Sequence, residues 1–426
     1  MRRSIRQLCV LLLLALSWIS SICGQGLPQT DPAKVGLSPE RLARIDRVMK
    51  ESVRNKEISG AVTLVARRGK VAHFATHGLM DVEANKPMQP DTIFRIASMT
   101  KPITSVAVMI LNEEGRLLLS DPVSKYIPEF KNPRVLVADV SGIDSHVPAK
   151  REITVRHLIT HTSGLTYQWD PRLGMEYKES GITHGLVQDK GTILEKMKIL
   201  GGIPLLRDPG DKFTYSLSID VLGALVEVAS GMPFDQFLQE RIFQPLGMKD
   251  TQFFLLADKK MRLASVYKRD ANGPIERVGE DPVPEGEGFV WSMSYPYGGP
   301  QSYFSGGGGL LSTASDYVRF AQAMLNGGEL DGNRILSPKT VELMTTDQVG
   351  ALSPAGFGLG FGVARPGDAR DSGSVGTYGW GGFFYTTFFV DPKEELVGVF
   401  MAQLHPTGGA TVADKFRVLA FQSIVE

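Results

Sequence analysis

Cysteine is almost missing: the 426 residues hold two, Cys9 and Cys23, both within the first two dozen positions. The rest of the chain therefore has no disulfide framework and no thiol nucleophile. Neither sign of charge is in excess. Lys+Arg and Asp+Glu number 46 each, so nothing points to nucleic acid or an anionic membrane surface as a partner. No G-x-S-x-G is present, which removes the nucleophile turn that usually accompanies a Ser-His-Asp triad. Of the 7 histidines, His405 is the one near the final strand-forming stretches that could approach such a site, and it reads as a surface or structural residue. His157 and His161 are four apart on a predicted helix, a zinc-like spacing. Leu158 stands where the glutamate of H-E-x-x-H would be, so their role reads as structural. The glycines Gly306 to Gly309 are followed by no lysine, which argues against a phosphate loop. No internal repeat or low-complexity tract occurs, and no cofactor or metal is called for.

Long apolar runs are also scarce. One, Leu8 to Ile19, follows Arg2, Arg3 and Arg6 and precedes the small residues Ser20, Ser21 and Gly24. It is short for a membrane span and has the layout of a secretory signal peptide over 1–24, with an uncleaved anchor as the alternative. Its removal takes away three arginines and no acid, leaving a slightly acidic chain with no membrane span. Lipidation at Cys23 is a minor option, since Ile22 is a poor match for the small residue that processing prefers. The expected location is periplasmic or secreted.

What is present is a chain long enough for a large core. Ser38-Pro39-Glu40 opens a helix, with Leu42, Ile45, Val48 and Met49 at helical spacing. Gly60 to Ala66 and Val71 to Thr76 read as strands joined at Arg68-Gly69-Lys70. From Leu117 to about Tyr297, short amphipathic stretches alternate with Pro/Gly turns and predict a mainly helical insertion. Strands return at Phe357 to Ala364, Gly376 to Val390 and Glu395 to Gln403, and Val412 to Ile424 closes as a helix. Thr313 and Asp316 have the spacing of a capping box for a helix running toward Leu325 and ending at Asn326-Gly327. The predicted fold class is α+β. A sheet built antiparallel from both chain ends forms an α/β sandwich lobe (about 32–105 and 305–426), with an inserted helical lobe (about 106–304), in one catalytic domain over 25–426.

The chemistry concentrates at Phe94-Arg95-Ile96-Ala97-Ser98-Met99-Thr100-Lys101-Pro102. On a helix starting near Ser98, the Lys101 ammonium reaches the Ser98 hydroxyl, and the Ser98 N–H lies among the unpaired donors of the helix start. A serine is a poor nucleophile until a base takes its proton, and a partly desolvated lysine can be that base. A second S-x-x-K, Ser265 to Lys268, has no apolar helical pattern after it and reads as a solvated segment. Pro209-Gly210 then turns the chain into Tyr215, ahead of a helix that Ser218 can cap and that ends at Ser230-Gly231. A tyrosine held beside a lysine ammonium can relay protons, although a core tyrosine is the commoner case. Gly376 to Phe383 places adjacent glycines at the start of a strand-rich run, the mark of a close backbone approach or of a packing corner. If this edge lies beside Ser98, the Phe383 N–H is a second donor for an oxyanion.

Taken in order, Ser98-Met99-Thr100-Lys101, Tyr215-Ser216-Leu217 and Trp380-Gly381-Gly382 resemble the three boxes of the serine β-lactamase and penicillin-binding-protein superfamily. More narrowly they resemble the family VIII carboxylesterases related to class C β-lactamases. Ile153 to Leu165, Pro245 to Met248 and Gly306 to Thr313 match in kind, and the likeness runs from about Pro32 onward. The resemblance implies Ser98 as nucleophile, Lys101 and Tyr215 sharing its proton, the N–H groups of Ser98 and Phe383 as oxyanion hole, and Trp380, Gly381, Gly382 and Leu217 against the substrate. Two departures bear on substrate. Leu217 replaces the asparagine of β-lactamases, and Trp-Gly-Gly replaces Lys-Thr-Gly, removing the cation that would hold a β-lactam carboxylate. Polar groups left unpaired cost on the order of 1–3 kcal/mol each, so a neutral small-molecule ester fits better. The alternatives are a β-lactamase, a D-amino-acid peptidase, an acyltransferase or a catalytically silent penicillin-binding-like sensor. Trp169 and Tyr177, in the segment Tyr167 to Leu206, are candidates for the acyl-pocket wall. The oligomeric state is left open.

Overall fold

The computed structural model describes residues 26–426 apart from 139–143, 272, 287 and 368–372. The expected signal segment lies outside the described residues. Helix α1 (Pro39–Arg54) is capped by the Ser38 hydroxyl, which accepts from the Arg41 N–H. It leads into β1 (Gly60–Arg67), β2 (Lys70–Asp81) and the short β3 (Lys86–Pro87). Near the other end of the chain lie β4 (Gly362–Val363), β5 (Tyr378–Gly382), β6 (Thr386–Asp391) and β7 (Leu396–Met401). Together they form one seven-stranded antiparallel sheet in the order β4-β5-β6-β7-β1-β2-β3. The two ends of the chain meet where β1 pairs with β7, with Val62 opposite Met401.

Every residue of β1 is buried, as a central strand covered on both faces must be. Alternate residues serve different layers. Ala61 and Val65 of β1 and Phe400 of β7 pack with α1 and the C-terminal helix α5 (Val412–Gln422). Val62, Leu64, Val397 and Val399 face the other side, where α2 (Thr100–Glu113) and α4 (Ala314–Leu325) lie. The α2 run Thr100–Leu111 is buried all round, so this helix is a core element carrying the Ser98–Lys101 stretch at its start. It packs against α3 (Ser218–Ser230) of the intervening segment. That segment is less uniformly helical than its turn pattern suggests. Among its described residues are three antiparallel strand pairs: Arg134–Ala138 with Asp144–Pro148, Tyr267–Arg269 with Ile275–Arg277, and Val283–Glu285 with Phe289–Trp291. Their strands are too short to show a period-two pattern.

Other boundaries shift for local reasons. Of Phe357 to Ala364 only Gly362–Val363 is strand, and Gly376 to Val390 is a hairpin with its turn at Phe383–Tyr385. Ser218 does not cap α3. Leu217 occupies that position, and the Ser218 hydroxyl instead bonds Ser163 (2.7 Å) and Ser216 (2.8 Å). The second S-x-x-K belongs to a hairpin. Ser265 donates to Asp81 (3.0 Å) and Lys268 pairs with Glu276 (3.4 Å).

Just ahead of Ser98, Phe94–Arg95 pairs with Leu311–Ser312. Arg95 is fully buried, and its guanidinium donates to the carbonyls of Ala264 (Nη1, 2.9 Å) and Met293 (Nε, 3.0 Å). Gln403 brackets its backbone, accepting from the Arg95 N–H and donating to the Arg95 carbonyl, each at 3.1 Å. Arg95→Met would strand two buried carbonyls at a cost on the order of 1–3 kcal/mol each. A lowered denaturant midpoint with an unchanged m-value is the expected result in equilibrium unfolding.

Candidate active site

Ser98 sits in a single 3₁₀ turn, Ala97–Met99, that feeds α2, rather than in the first α-helical turn itself. Ala97, immediately before it, has φ of 41°, a left-handed conformation that a residue with a Cβ adopts only at a cost. This turn holds Ser98 half-buried at the wall of a large cavity, while Lys101, one turn on, is 1% exposed.

Three side chains from distant parts of the sequence meet there. The hydroxyls of Ser98 and Tyr215 are hydrogen-bonded at 2.7 Å, and Lys101 Nζ donates to Ser98 Oγ at 3.2 Å. The same ammonium donates to the Gly307 carbonyl at 2.6 Å and lies 4.6 Å from the Tyr215 ring centroid and 5.5 Å from that of Tyr167. Trp380 Nε1–H reaches the Tyr215 oxygen at 3.4 Å. The glycine run of β5 ends against the turn that holds Ser98. A Cβ at Gly382 would stand 2.3 Å from the Ile96 carbonyl, which only glycine avoids. A nucleophilic hydroxyl, two groups able to exchange its proton and a backbone edge alongside are the parts needed for acyl transfer.

Several residues of the site carry little sequence signal. Gly307 reads as part of a structural glycine run, yet its carbonyl anchors Lys101, and a side chain there would press on Asp220 Oδ2 at 2.4 Å. Asp220 is buried and accepts from Ser305 (2.7 Å) and Tyr303 (3.2 Å), which fixes the loop presenting Gly307. Burial raises its carboxyl to about 6 against the opposing pull of Ser305 and Lys101. His161 lies beyond the short helix Val155–Ile159, so the helical zinc spacing with His157 does not exist. Its buried ring packs 4.8 Å from that of Tyr215, with Nδ1 accepting from the Ser216 N–H (3.3 Å). Burial, helped by the Lys101 charge, holds its imidazole well below the ordinary range.

The cavity measures about 970 Å³, and Tyr167, Trp169, Phe213, Phe289, Phe357 and Trp380 give it an aromatic wall. Gly381, Gly382 and Phe383 also line it. Two expectations are corrected. Leu217 does not line the cavity; as the residue capping α3 it is fully buried in the core. Tyr177 is likewise sealed, its hydroxyl accepting from the Thr166 N–H, because the helix Gly174–Glu179 turns it inward. Trp169 does reach the wall. His405 stacks on Phe383 at 3.6 Å and bonds Glu285 at 2.8 Å, away from Ser98 Oγ's own partners. Arg417 reaches the far wall, packed over Phe389 and Phe421.

The profile of the Beta-lactamase family matches residues 45–422, and the chain belongs to that family. It is 37% identical to an uncharacterised protein of Mycobacterium tuberculosis over 82% of this chain and 86% of that one. It is 36% identical to the esterase EstB of Burkholderia gladioli, over 85% of this chain and 90% of that one. Among solved structures, EstCE1, described as a hydrolase with promiscuous acyltransferase activity, superposes with a TM-score of 0.77 at 30% identity. That match spans 91% of this chain and 99% of the other. The fold is the β-lactamase/transpeptidase-like one, in a serine hydrolase family with esterase and acyltransferase relatives.

One wall of the cavity is sensitive to acid. His184 stacks on Phe289 (4.0 Å), donates from Nε2 to the Val290 carbonyl (2.9 Å) and accepts at Nδ1 from the Leu186 N–H (3.3 Å). Burial pushes its imidazole from 6.5 down to about 4. Between those values the unfolded chain takes up a proton that the native state refuses. This contribution to stability is therefore complete above pH 6.5 and is lost as pH falls toward 4, on the order of 3 kcal/mol at most. His184→Gln is expected to flatten the fall in Tm between pH 6.5 and 4 relative to the parent, measured by calorimetry.

Proposed function

We propose that this chain is an exported, periplasmic or secreted, serine carboxylesterase that works through an acyl-serine intermediate. The observation that carries the reading is the Ser98 hydroxyl held at 2.7 Å from the Tyr215 oxygen and 3.2 Å from the Lys101 ammonium, at the wall of an aromatic cavity. In this reading Tyr215 reacts as a phenolate beside the Lys101 ammonium, and its oxygen takes the Ser98 proton, becoming the neutral phenol, as Oγ attacks the ester carbonyl. The Ser98 and Phe383 N–H groups receive the oxyanion, a placement supported by the contact of Gly382 with the Ile96 carbonyl. Collapse breaks the ester C–O bond, and the departing alkoxide takes the proton back from Tyr215. Water then repeats the cycle on the acyl-enzyme, giving the acid and free Ser98. No histidine is needed at the reacting atoms.

The ester, rather than the lactam, is favoured by Trp380, which presents an indole where the third box of β-lactamases has a lysine. A penicillin carboxylate would meet aromatic surface there. Acyl transfer to an alcohol is the second reading. It is favoured by a cavity large enough for an acyl group and an acceptor side by side.

Mature protein is to be assayed on short-chain p-nitrophenyl esters and on a chromogenic cephalosporin, with and without an added primary alcohol. Ester turnover is expected to exceed cephalosporin turnover by at least about 10²-fold in kcat/KM. Ser98→Ala is expected to remove about 10³-fold or more, and Tyr215→Phe about 10²–10⁴-fold, mainly in kcat. Cephalosporin turnover at equal efficiency overturns the esterase reading. Alcohol that diverts the acyl group to a new ester faster than water removes it favours the transferase.

A further inference from the structure

On the sheet face away from Ser98, three strand side chains and one from a helix converge. Thr63 of β1 lies opposite Ala75 of β2, and His73 and His77 flank Ala75 by two residues on either side, so all three project to the face that α1 covers. Asp46 descends from α1 between the buried residues Ile45 and Met49. His77 Nε2 is 3.6 Å from Asp46 Oδ1, and Thr63 Oγ1 touches His73 Nε2 (2.8 Å) and His77 Nε2 (3.3 Å). Donor atoms of Asp46, His73 and His77 all lie within 4.8 Å of one another.

The hydrogen bonds within this cluster leave it incomplete. Thr63 Oγ1 can donate to one imidazole and accept from the Nε2–H of the other, so it ties the two rings together but does not reach the carboxylate. Asp46 Oδ1 is buried with no hydrogen-bond partner among the described residues, a costly state for a carboxylate oxygen. The Nε2 atoms of both rings converge at Thr63 Oγ1 beside Asp46 Oδ1, so a single point lies within reach of all three donor groups. Two neutral imidazoles and one carboxylate are a donor set suited to a divalent transition metal, which binds nitrogen and oxygen at about 2.0–2.2 Å and leaves a fourth position for water. Ligand atoms around such an ion stand roughly 3.3–3.5 Å apart, close to the His77–Asp46 separation. Exposed Lys50, one turn along α1, opposes the ion's charge without entering the cluster.

We propose that Asp46, His73 and His77 form a binding site for a zinc-class divalent ion that clips α1 to the central sheet, outside the catalytic cleft. Its occupancy would stabilise the sandwich without touching the reacting atoms. The proposal is independent of the esterase reading.

The test uses the full mature chain, free of any histidine tag and stripped of metal by chelator and dialysis. Zinc chloride is titrated by calorimetry and by Tm, and cobalt(II) is added to read the visible absorption of a low-coordinate N/O site. One equivalent of zinc is expected to bind, with a Tm rise of about 3 °C or more at saturation. His73→Gln and Asp46→Asn, both at half-buried positions, are each expected to lower the affinity at least about tenfold and erase the Tm rise. Metal-free turnover in these variants is expected to match the parent. No binding at about 100 µM zinc, or binding that both variants leave unchanged, overturns the proposal. The cobalt spectrum of the parent decides the matter should a variant fail to fold.

Discussion

A buried ammonium with no salt-bridge partner among the described residues organises this molecule. Lys101 is sealed at the start of a core helix, and its charge is met by one carbonyl, one hydroxyl and the faces of two tyrosine rings. Desolvating a cation is expensive unless every donor is placed, so each supplier of those contacts is held in turn. Gly307 comes from a loop fixed by Asp220, Ser305 and Tyr303, and Tyr215 is braced by the His161 ring and the Trp380 indole. The cost of burying Lys101 is thus spread over segments some two hundred positions apart. Ser98 gains two hydrogen-bonding neighbours as a consequence.

That arrangement explains why the sheet is built from both chain ends. β1 and β7 pair at its centre, and β5 runs past the turn holding Ser98 so that Gly382 meets Ile96 without a side chain between them. The intervening segment then folds over the opposite side of the cleft and supplies Tyr167, Trp169, Tyr215 and Phe289 to its wall. A rigid sheet on one side and loop-borne aromatics on the other is an arrangement in which the chemistry stays constant while the wall sets the substrate. The Val283–Trp291 hairpin is part of that wall, tied to the rest by His184 and by the Glu285–His405 contact.

Legibility from sequence followed the range of the interaction. The Ser98 to Lys101 spacing is local and the two side chains do meet, because three residues make one turn whether the turn is 3₁₀ or α. The Ser38 and Thr313 caps were readable for the same reason. Leu217 shows the limit: its place in a motif suggested the pocket, but as the residue capping α3 it faces the core. His161 shows it in the other direction, since a spacing counted along an assumed helix failed once the helix ended at Ile159.

By itself the sequence determined which residues could do chemistry, the absence of thiols from the body of the chain, the strand-forming character of both ends and the family likeness carried by three ordered boxes. Those follow from composition and from spacings within a turn or two. The tertiary structure decided which side chains share a cleft, that a glycine carbonyl anchors the lysine, and that Asp46 and two histidines gather under the first helix. Such contacts join residues far apart in the chain, and their geometry is set by packing of the whole core, which no local pattern encodes.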